Sequence, residues 1–216
     1  WNYGASFAFL IPIAQKMLKL NAEYYYTDFL SQTVIDYDTN PQEIHVTNLD
    51  GKSYSHTFQI DASYPLFKGL ELTAAYRYNL VKTTYGGRLM WKPLQSRYKG
   101  LLTSYKTPLG LWQFDATLAL NGGGRMPEPY TLATGNLSWE RNYKAYGQVN
   151  AQITRYFRNF SLYLGGENLT NFKQKNPIIG YQNPWDNSFE PTMVYGPIQG
   201  AMAYVGIRLN LGKHQQ

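Results

Sequence analysis

The stretch FQIDASYPLFKGLELTAAYRYNL, residues 58–80, decides the fold class of this chain. From Phe58 to Leu66, and again from Leu70 to Leu80, apolar side chains occupy every second position, and mostly polar ones occupy the positions between them. A period of two is typical of a β-strand with one apolar and one polar face. Since only residues 67–69 separate the two runs, the sequence predicts an antiparallel hairpin with a tight turn.

The same alternation recurs along the chain, for example over residues 18–26, 112–120 and 149–153. The breaks between these runs alternate between very short turns and long connections. Transmembrane β-barrels of the bacterial outer membrane have this rhythm, with short periplasmic turns and long extracellular loops. The sequence therefore predicts an all-β protein that forms a transmembrane antiparallel β-barrel.

The composition favours a membrane protein of this class. Charged residues make up 16% of the chain, against about 25% in soluble proteins. Tyr accounts for 20 of the 216 residues, and Tyr and Trp favour the boundary between membrane and water. No run approaches the roughly 20 apolar residues of a transmembrane helix, and no cysteine is present for disulfides or thiol chemistry. We expect the outer membrane of a Gram-negative bacterium.

The runs can be joined into about nine strands. These are residues 1–12, 17–35, 52–66, 69–82, 95–107, 110–121, 143–157, 159–168 and 198–211. Single-chain bacterial barrels have an even number of strands, and an open wall leaves unpaired backbone groups in lipid. We therefore expect residues 1–216 to form the C-terminal part of one larger barrel domain. A complete barrel of eight or ten strands is the alternative.

The C-terminal region carries the most specific motifs. They are Gly166-Glu167-Asn168-Leu169-Thr170-Asn171-Phe172, Asn176-Pro177-Ile178-Ile179 and Tyr195-Gly196-Pro197-Ile198-Gln199-Gly200, followed by the alternating run at 204–211. This region resembles the closing hairpin of TonB-dependent outer-membrane receptors, most closely those of Bacteroidetes. The resemblance implies a 22-stranded barrel with a plugged lumen, whose signal peptide, plug domain and remaining strands precede Trp1.

The resemblance also implies a function in active import. Such receptors take up a scarce nutrient, for example an iron chelate, haem, cobalamin or a glycan, with energy that TonB supplies through the plug. The implied partners are outer-membrane lipid, the plug domain and upstream strands of the same protein, and TonB; a surface lipoprotein is a further candidate. The alternative function is that of a small complete outer-membrane barrel acting as an adhesin or structural anchor.

Enzymatic activity and nucleic-acid binding are not expected. No Ser-His-Asp grouping is visible in the sequence, so a barrel hydrolase is the least favoured reading. The net charge of +6 comes from scattered basic residues, whereas nucleic-acid binding requires a basic patch or a recognised motif. We also expect no cofactor.

The candidate ligand-binding residues lie in the long loops, because loops on a rigid scaffold often carry binding sites. Aromatic rings beside arginine suit stacking on sugars or aromatic chelates and pairing with an anionic group. The candidates are Arg88, Trp91, Arg125, Tyr130, Trp139, Tyr181 and Trp185. The alternative is that these side chains pack the loops together or belong to the interfacial ring of aromatic residues.

Two further patterns suggest a metal only weakly. The run Asp36-Tyr37-Asp38-Thr39-Asn40 begins like a calcium loop, but the sixth position is not glycine and the twelfth is not glutamate. We interpret it as a polar turn. His45 and His56 flank the Asp50-Gly51 turn and could meet across a hairpin, but two exposed loop imidazoles are the simpler interpretation. We therefore expect no bound metal.

Overall fold

A computed structural model describes residues 1–40, 43–109, 112–132 and 135–210, apart from the side chains of 104–109. The described residues form strands and no α-helix, so they include no helix long and apolar enough to cross a bilayer. The strands are β1 Asn2–Ile13, β2 Lys16–Asp28, β3 Thr33–Asp36, β4 His45–Asn48, β5 Ser53–Phe67, β6 Leu70–Tyr85, β7 Arg88–Trp91, β8 Tyr98–Leu109, β9 Trp112–Asn121, β10 Gly124–Arg125, β11 Asn142–Tyr143, β12 Tyr146–Tyr156, β13 Phe160–Glu167 and β14 Met202–Leu209.

Nine of these strands form one antiparallel wall in the order β1-β2-β5-β6-β8-β9-β12-β13-β14. The expected number of wall strands is therefore confirmed, and each pairs with the next wall strand along the chain. The short strand β7 extends the wall by pairing with the end of β6. In the described part of the chain β1 and β14 are not paired with each other, so the wall is open.

The two faces of the wall follow the predicted alternation. One row of register partners contains Ala22, Ile60 and Tyr76, and the adjacent row contains Glu23, Gln59 and Arg77. We call the apolar side the outer face and the polar side the inner face. Many outer-face side chains are exposed and the others are half-buried; Val205 reaches 79%. Exposure of apolar side chains on one face is what a barrel in contact with lipid requires.

The inner face of the last hairpin is shaped by two glycines opposite two tyrosines. Tyr204 lies over Gly165 and Tyr163 lies over Gly206, so that a Cβ atom at either glycine would overlap the ring. The two rings meet edge to face with centroids 6.2 Å apart. The Tyr204 hydroxyl also donates to Gln152 Oε1 at 3.1 Å. Tyr204 thus lies on the inner face, whereas its neighbour Val205 lies on the outer face.

The connections differ between the two ends of the wall. At one end, short turns at residues 14–15, 68–69 and 157–159 join neighbouring strands. The predicted hairpin at 67–69 is confirmed there, and residues 110–111, between β8 and β9, lie outside the described residues. At the other end, the wall strands are joined by the long connections 29–52, 86–97, 122–145 and 168–201.

The predicted strand 17–35 was too long. β2 ends at Asp28, and Thr33–Asp36 forms β3, which pairs with β4 in a separate two-stranded hairpin. Val34 alternates like a wall residue but is buried within this connection, with 4% exposure. Local alternation shows that a segment is extended, but it does not show which strand pairs with it.

Three predicted strand starts, at residues 95, 143 and 198, were early by three or four positions. The corresponding wall strands begin at Tyr98, Tyr146 and Met202. The residues just before these strands belong to the long connections. For example, the Arg97 N–H donates a hydrogen bond to the Gly123 carbonyl at 3.2 Å.

Candidate functional site

The long connections 29–52, 86–97, 122–145 and 168–201 fold together at one end of the wall, and we call them the loop layer. Within the described residues, the buried apolar cluster lies here and not in the wall. It consists of Met126, Tyr143 and Met193, with Leu94, Trp139, Ile179 and Tyr195 packed against them. Because these side chains come from three different connections, the loop layer has a packed core of its own.

The remaining connection, 29–52, is joined to the others by an ion pair. Arg125 Nη1 and Nη2 donate to Asp38 Oδ1 and Oδ2 at 2.6 and 2.9 Å, and the two side chains are only 14% and 6% exposed. Arg125 Nε donates to the Trp91 carbonyl at 2.8 Å, and the Glu128 N–H donates to Asp38 Oδ1 at 2.8 Å. A bidentate pair with these additional hydrogen bonds fixes three connections to one another.

Asp36 shapes the turn that presents Asp38. Its Oδ1 accepts the N–H groups of Asp38 and Thr39 at 2.7 and 3.1 Å, and its Oδ2 accepts the Thr39 hydroxyl at 2.7 Å. Burial raises the pKa of Asp36, but the hydrogen bonds from Thr39 and the Asp38 backbone outweigh it and hold the pKa below its ordinary value. The oxygens that resemble the start of a calcium loop are thus used within the protein.

Two amide side chains fix the connection 168–201. Gln174 is 6% exposed; its Nε2 donates to the Met193 carbonyl at 2.7 Å, and its Oε1 accepts the N–H groups of Tyr195 and Gly196 at 2.8 and 3.1 Å. Asn168 adopts a left-handed φ of 50°, which asparagine tolerates better than most residues. These contacts hold the segments that flank a cavity.

The cavity lies between the connections 122–145 and 168–201 and has a volume of about 600 Å³. Aromatic rings and lysine side chains line it, among them Trp139, Phe172, Tyr181, Lys144, Lys173 and Lys175. Pockets of roughly 300–1,000 Å³ are the usual size for small-molecule sites. The rings offer faces for stacking on a planar or sugar ligand, and the lysines offer positive charge to an anionic one.

Stacked rings contribute to the lining of this cavity. Tyr143 and Tyr195 stack with centroids 4.2 Å apart and planes at 11°, and Tyr146 and Phe172 stack at 4.4 Å and 3°. Burial raises the pKa of Tyr143 and of Tyr195, so both hydroxyls stay neutral at physiological pH. The cavity lining therefore includes neutral stacked tyrosine rings, together with three lysines and one carboxylate, Glu140.

The structure brings some of the predicted ligand-binding residues together. Trp139 and Tyr181 both line the cavity. Tyr130 contacts Trp139 edge to face with centroids 5.6 Å apart, and Trp139 Nε1 donates to the Pro127 carbonyl at 2.9 Å. Burial raises the pKa of Tyr130. Two of the predicted residues therefore lie at the cavity, and Tyr130 contacts one of them.

The other predicted residues lie apart from the cavity. Arg125 is engaged by Asp38, and the ring of Trp91 lies 4.9 Å from the Arg97 guanidinium. Arg88 is exposed in β7, and Trp185 is 95% exposed. His45 and His56 do not meet: His45 lies 3.0 Å from Glu43, and His56 contacts Tyr24 at 2.8 Å on the outer face.

Sequence reasoning missed Phe172, Gln174 and Met193 as residues that build the cavity. The motifs at 166–172 and 195–200 mark the two ends of the connection that contains these residues. These motifs were the sequence signal that pointed to this connection. Gln174 and Met193 themselves carry no local pattern, because their role depends on contact between segments 19 residues apart.

The sequence matches no protein-family model and no curated protein. Its fold does match solved structures. The ferric-catecholate import receptor Fiu from E. coli K12 matches with a TM-score of 0.60 at 13% identity, over 95% of this chain and 27% of that one. The siderophore receptor PiuA from Acinetobacter baumannii matches with a TM-score of 0.57 at 13% identity, over 95% and 28%. The copper transporter OprC matches with a TM-score of 0.62 at 10% identity, over 95% and 30%.

These matches concern the fold, and the chain spans less than a third of the length of each matched protein. They agree with the open antiparallel wall, which accounts for only part of a barrel. The expected all-β antiparallel fold, as part of a larger barrel, is thereby confirmed. The chain has the fold of the TonB-dependent outer-membrane receptor barrels and corresponds to one part of such a barrel.

Proposed function

We propose that this chain is the C-terminal part of a 22-stranded outer-membrane receptor that imports a scarce nutrient with energy supplied by TonB. The observation that carries the proposal is the loop layer, a packed set of connections with a cavity of about 600 Å³ at one end of a wall with the receptor fold. A plug domain and further strands complete the receptor in this proposal.

The open wall supports this proposal over a small complete barrel acting as an adhesin or anchor. β1 and β14 each have one edge without a strand partner in the described part of the chain. Each unsatisfied backbone group costs several kcal/mol in lipid, so further strands are needed to pair with both edges.

The cavity suits a ligand with a planar or sugar surface and negative charge. Rings such as Trp139 and Tyr181 supply the stacking surface, and Lys144, Lys173 and Lys175 supply positive charge. Fiu is a ferric-catecholate import receptor and PiuA a siderophore receptor, so ferric chelates are the first class to test. Haem, cobalamin and glycans follow.

Uptake in whole cells tests the proposal. Cells that lack their own copy of the receptor are supplied with the full-length gene and offered radiolabelled ferric catecholates, haem, cobalamin and oligosaccharides in turn. We expect saturable uptake of one of these that disappears when TonB is deleted. Uptake that persists without TonB, or an intact mass near 24.8 kDa for the protein from its native membrane, would contradict the proposal.

Two aromatic residues of the same connection provide a matched pair for the cavity. Tyr181 lines it, whereas Trp185, also exposed, does not. We expect Tyr181→Ala to raise the ligand concentration for half-maximal uptake about threefold to tenfold, the range for loss of one aromatic contact. Trp185→Ala should change it by less than about twofold. Equal effects of the two substitutions would argue against the cavity as the binding site.

A further inference from the structure

Arg155 is a cation on the apolar outer face of the wall. Its register partners are Trp112 in β9 and Leu162 in β13, both exposed on that face. The next outer-face position along β12 is Ile153, paired with Phe114. On the lipid face of a barrel, an arginine costs about 2–4 kcal/mol at the bilayer midplane and almost nothing near the interfaces. The free-energy cost of placing Arg155 on this face therefore depends on its depth in the membrane.

Arg155 lies at the end of the wall that has the short turns. It precedes the last residue of β12, and its partner Trp112 is the first residue of β9. In outer-membrane barrels the short turns face the periplasm. Arg155 is thus placed where the hydrocarbon core meets the headgroups of the periplasmic leaflet.

Two aromatic rings hold the guanidinium at this boundary. Its Cζ atom lies 4.7 Å from the ring centre of Trp112 and 5.6 Å from that of Phe157. Phe157 in turn stacks on Phe160 with centroids 4.5 Å apart. Cation–π contacts orient a guanidinium, but they supply neither a counter-charge nor hydrogen-bond acceptors for its N–H groups.

The chain provides no counter-charge in the described residues. The ion pairs formed there are His45–Glu43, Arg125–Asp38 and Arg141–Glu128, and none involves Arg155. Three neighbouring outer-face residues, Phe114, Leu162 and Leu164, are apolar. No described residue of the chain therefore supplies an anion to Arg155.

We propose that Arg155, held between Trp112 and Phe157, binds the phosphate of a glycerophospholipid in the periplasmic leaflet. A guanidinium presents paired N–H donors that match two phosphate oxygens. The acyl chains of the same lipid lie along the apolar surface formed by Phe114, Ile153 and Leu164. This site depends on the membrane orientation of the wall and is independent of the imported nutrient.

Site-directed crosslinking of lipid tests this proposal in the full-length protein. A photo-crosslinking amino acid replaces Leu162, next to Arg155 on the outer face, and the protein is placed in nanodiscs containing phosphatidylglycerol or diacylglycerol with the same acyl chains. We expect crosslinking to phosphatidylglycerol to exceed that to diacylglycerol about tenfold, as one charge-assisted contact predicts. Arg155→Gln should lower phosphatidylglycerol crosslinking to the diacylglycerol level.

Arg208→Gln is the matched control, since Arg208 lies at the same end of the wall but on the inner face, paired with Ser161. It should leave the crosslinking unchanged. Equal labelling by both lipids, unchanged labelling in Arg155→Gln, or crosslinks mainly to protein would each overturn the proposal. If Arg155→Gln does not insert, Trp112→Leu removes the larger ring that orients the guanidinium, and about threefold weaker labelling is expected; unchanged labelling there would also overturn it.

Discussion

The wall and the loop layer are stabilised by different kinds of contact. In the wall, each strand is held by backbone pairing, outer-face side chains such as Val205 stay exposed at 79%, and the buried side chains include small ones such as Ser161 at 3%. In the loop layer the buried side chains are large, with Met193 at 1% and Tyr143 at 5%. We infer that the wall tolerates side-chain changes that the loop layer does not. In the loop layer, individual side-chain contacts fix the position of each segment. A binding surface needs segments that are fixed in this way.

The substitution Asp38→Ala should produce the largest difference between the two regions. Removing one partner of a buried ion pair leaves an uncompensated charge on Arg125 and costs about 3–5 kcal/mol. Hydrogen exchange of the full-length protein should then accelerate in residues 122–132 and stay unchanged in the β5–β6 hairpin. Equal acceleration in both would show that the loop layer is not a separate unit.

Glu128→Ala is the control for this change. The pair that Glu128 forms with Arg141 has side chains 38% and 61% exposed, and exposed pairs contribute less than about 1 kcal/mol. Its exchange rates should stay close to those of the unaltered protein. An acceleration of hydrogen exchange as large as that caused by Asp38→Ala would mean that burial does not determine the strength of these ion pairs.

Core truncation provides a second comparison. Met193→Ala leaves a cavity at a fully buried position, and such changes cost about 2–5 kcal/mol. Val205→Ala on the outer face should cost less than about 0.5 kcal/mol. Exchange at Gln174 and Tyr195 amides measures the first effect, and exchange across β13 and β14 measures the second. Similar losses of exchange protection from the two substitutions would contradict the assignment of the packed core to the loop layer.

Gln174→Met separates hydrogen bonding from packing in the loop layer. Methionine has a similar length but leaves the Tyr195 and Gly196 N–H groups and the Met193 carbonyl without partners, which we expect to cost about 2 kcal/mol. The measurement is exchange at the two amides, which should rise more than exchange at Met126. Unchanged protection of both amides would show that water replaces the side chain without loss.

Acidification should affect one corner of the loop layer and leave the wall intact. The pKa of Asp36 lies below its ordinary value of 3.8, so the stability contributed by its ionised form is complete above that pH and is lost as the pH falls through the lowered value. NMR shifts of the Asp38 and Thr39 amides should report a midpoint below 3.8, absent in Asp36→Asn. A midpoint at or above the ordinary value would contradict the turn geometry.

The wall could be predicted from the sequence because its determinants are local. Alternation at residues such as Phe58, Ile60 and Tyr76 fixes which face each side chain occupies, and consecutive strands pair with each other. The strand number and the hairpin at 67–69 follow from this pattern. The end of β2 did not follow, since Val34 has the same parity as the apolar residues of β2 but lies in a different hairpin.

The candidate site was less accessible to sequence reasoning because its contacts are long-range. Trp139 and Tyr181 were identified by residue type and lie at the cavity. The same criterion selected Arg125, which is engaged by Asp38, and Trp185, which lies in the open. No local pattern distinguishes these cases, since the difference depends on which segments meet after folding.

The Asp38–Arg125 pair also has a consequence for the order of folding. The two residues are 87 positions apart, and the wall strands β5, β6, β8 and β9 lie between them. Closing so long a flexible segment carries a large entropic cost, whereas neighbouring wall strands pair one after another across much shorter connections, of which 86–97 is the longest in this segment. Once those strands are in register, the two residues are brought near each other and the pair closes without that cost. We expect the loop layer to form after the wall, and the pair to slow the unfolding of the loop layer more than it speeds the folding of the wall.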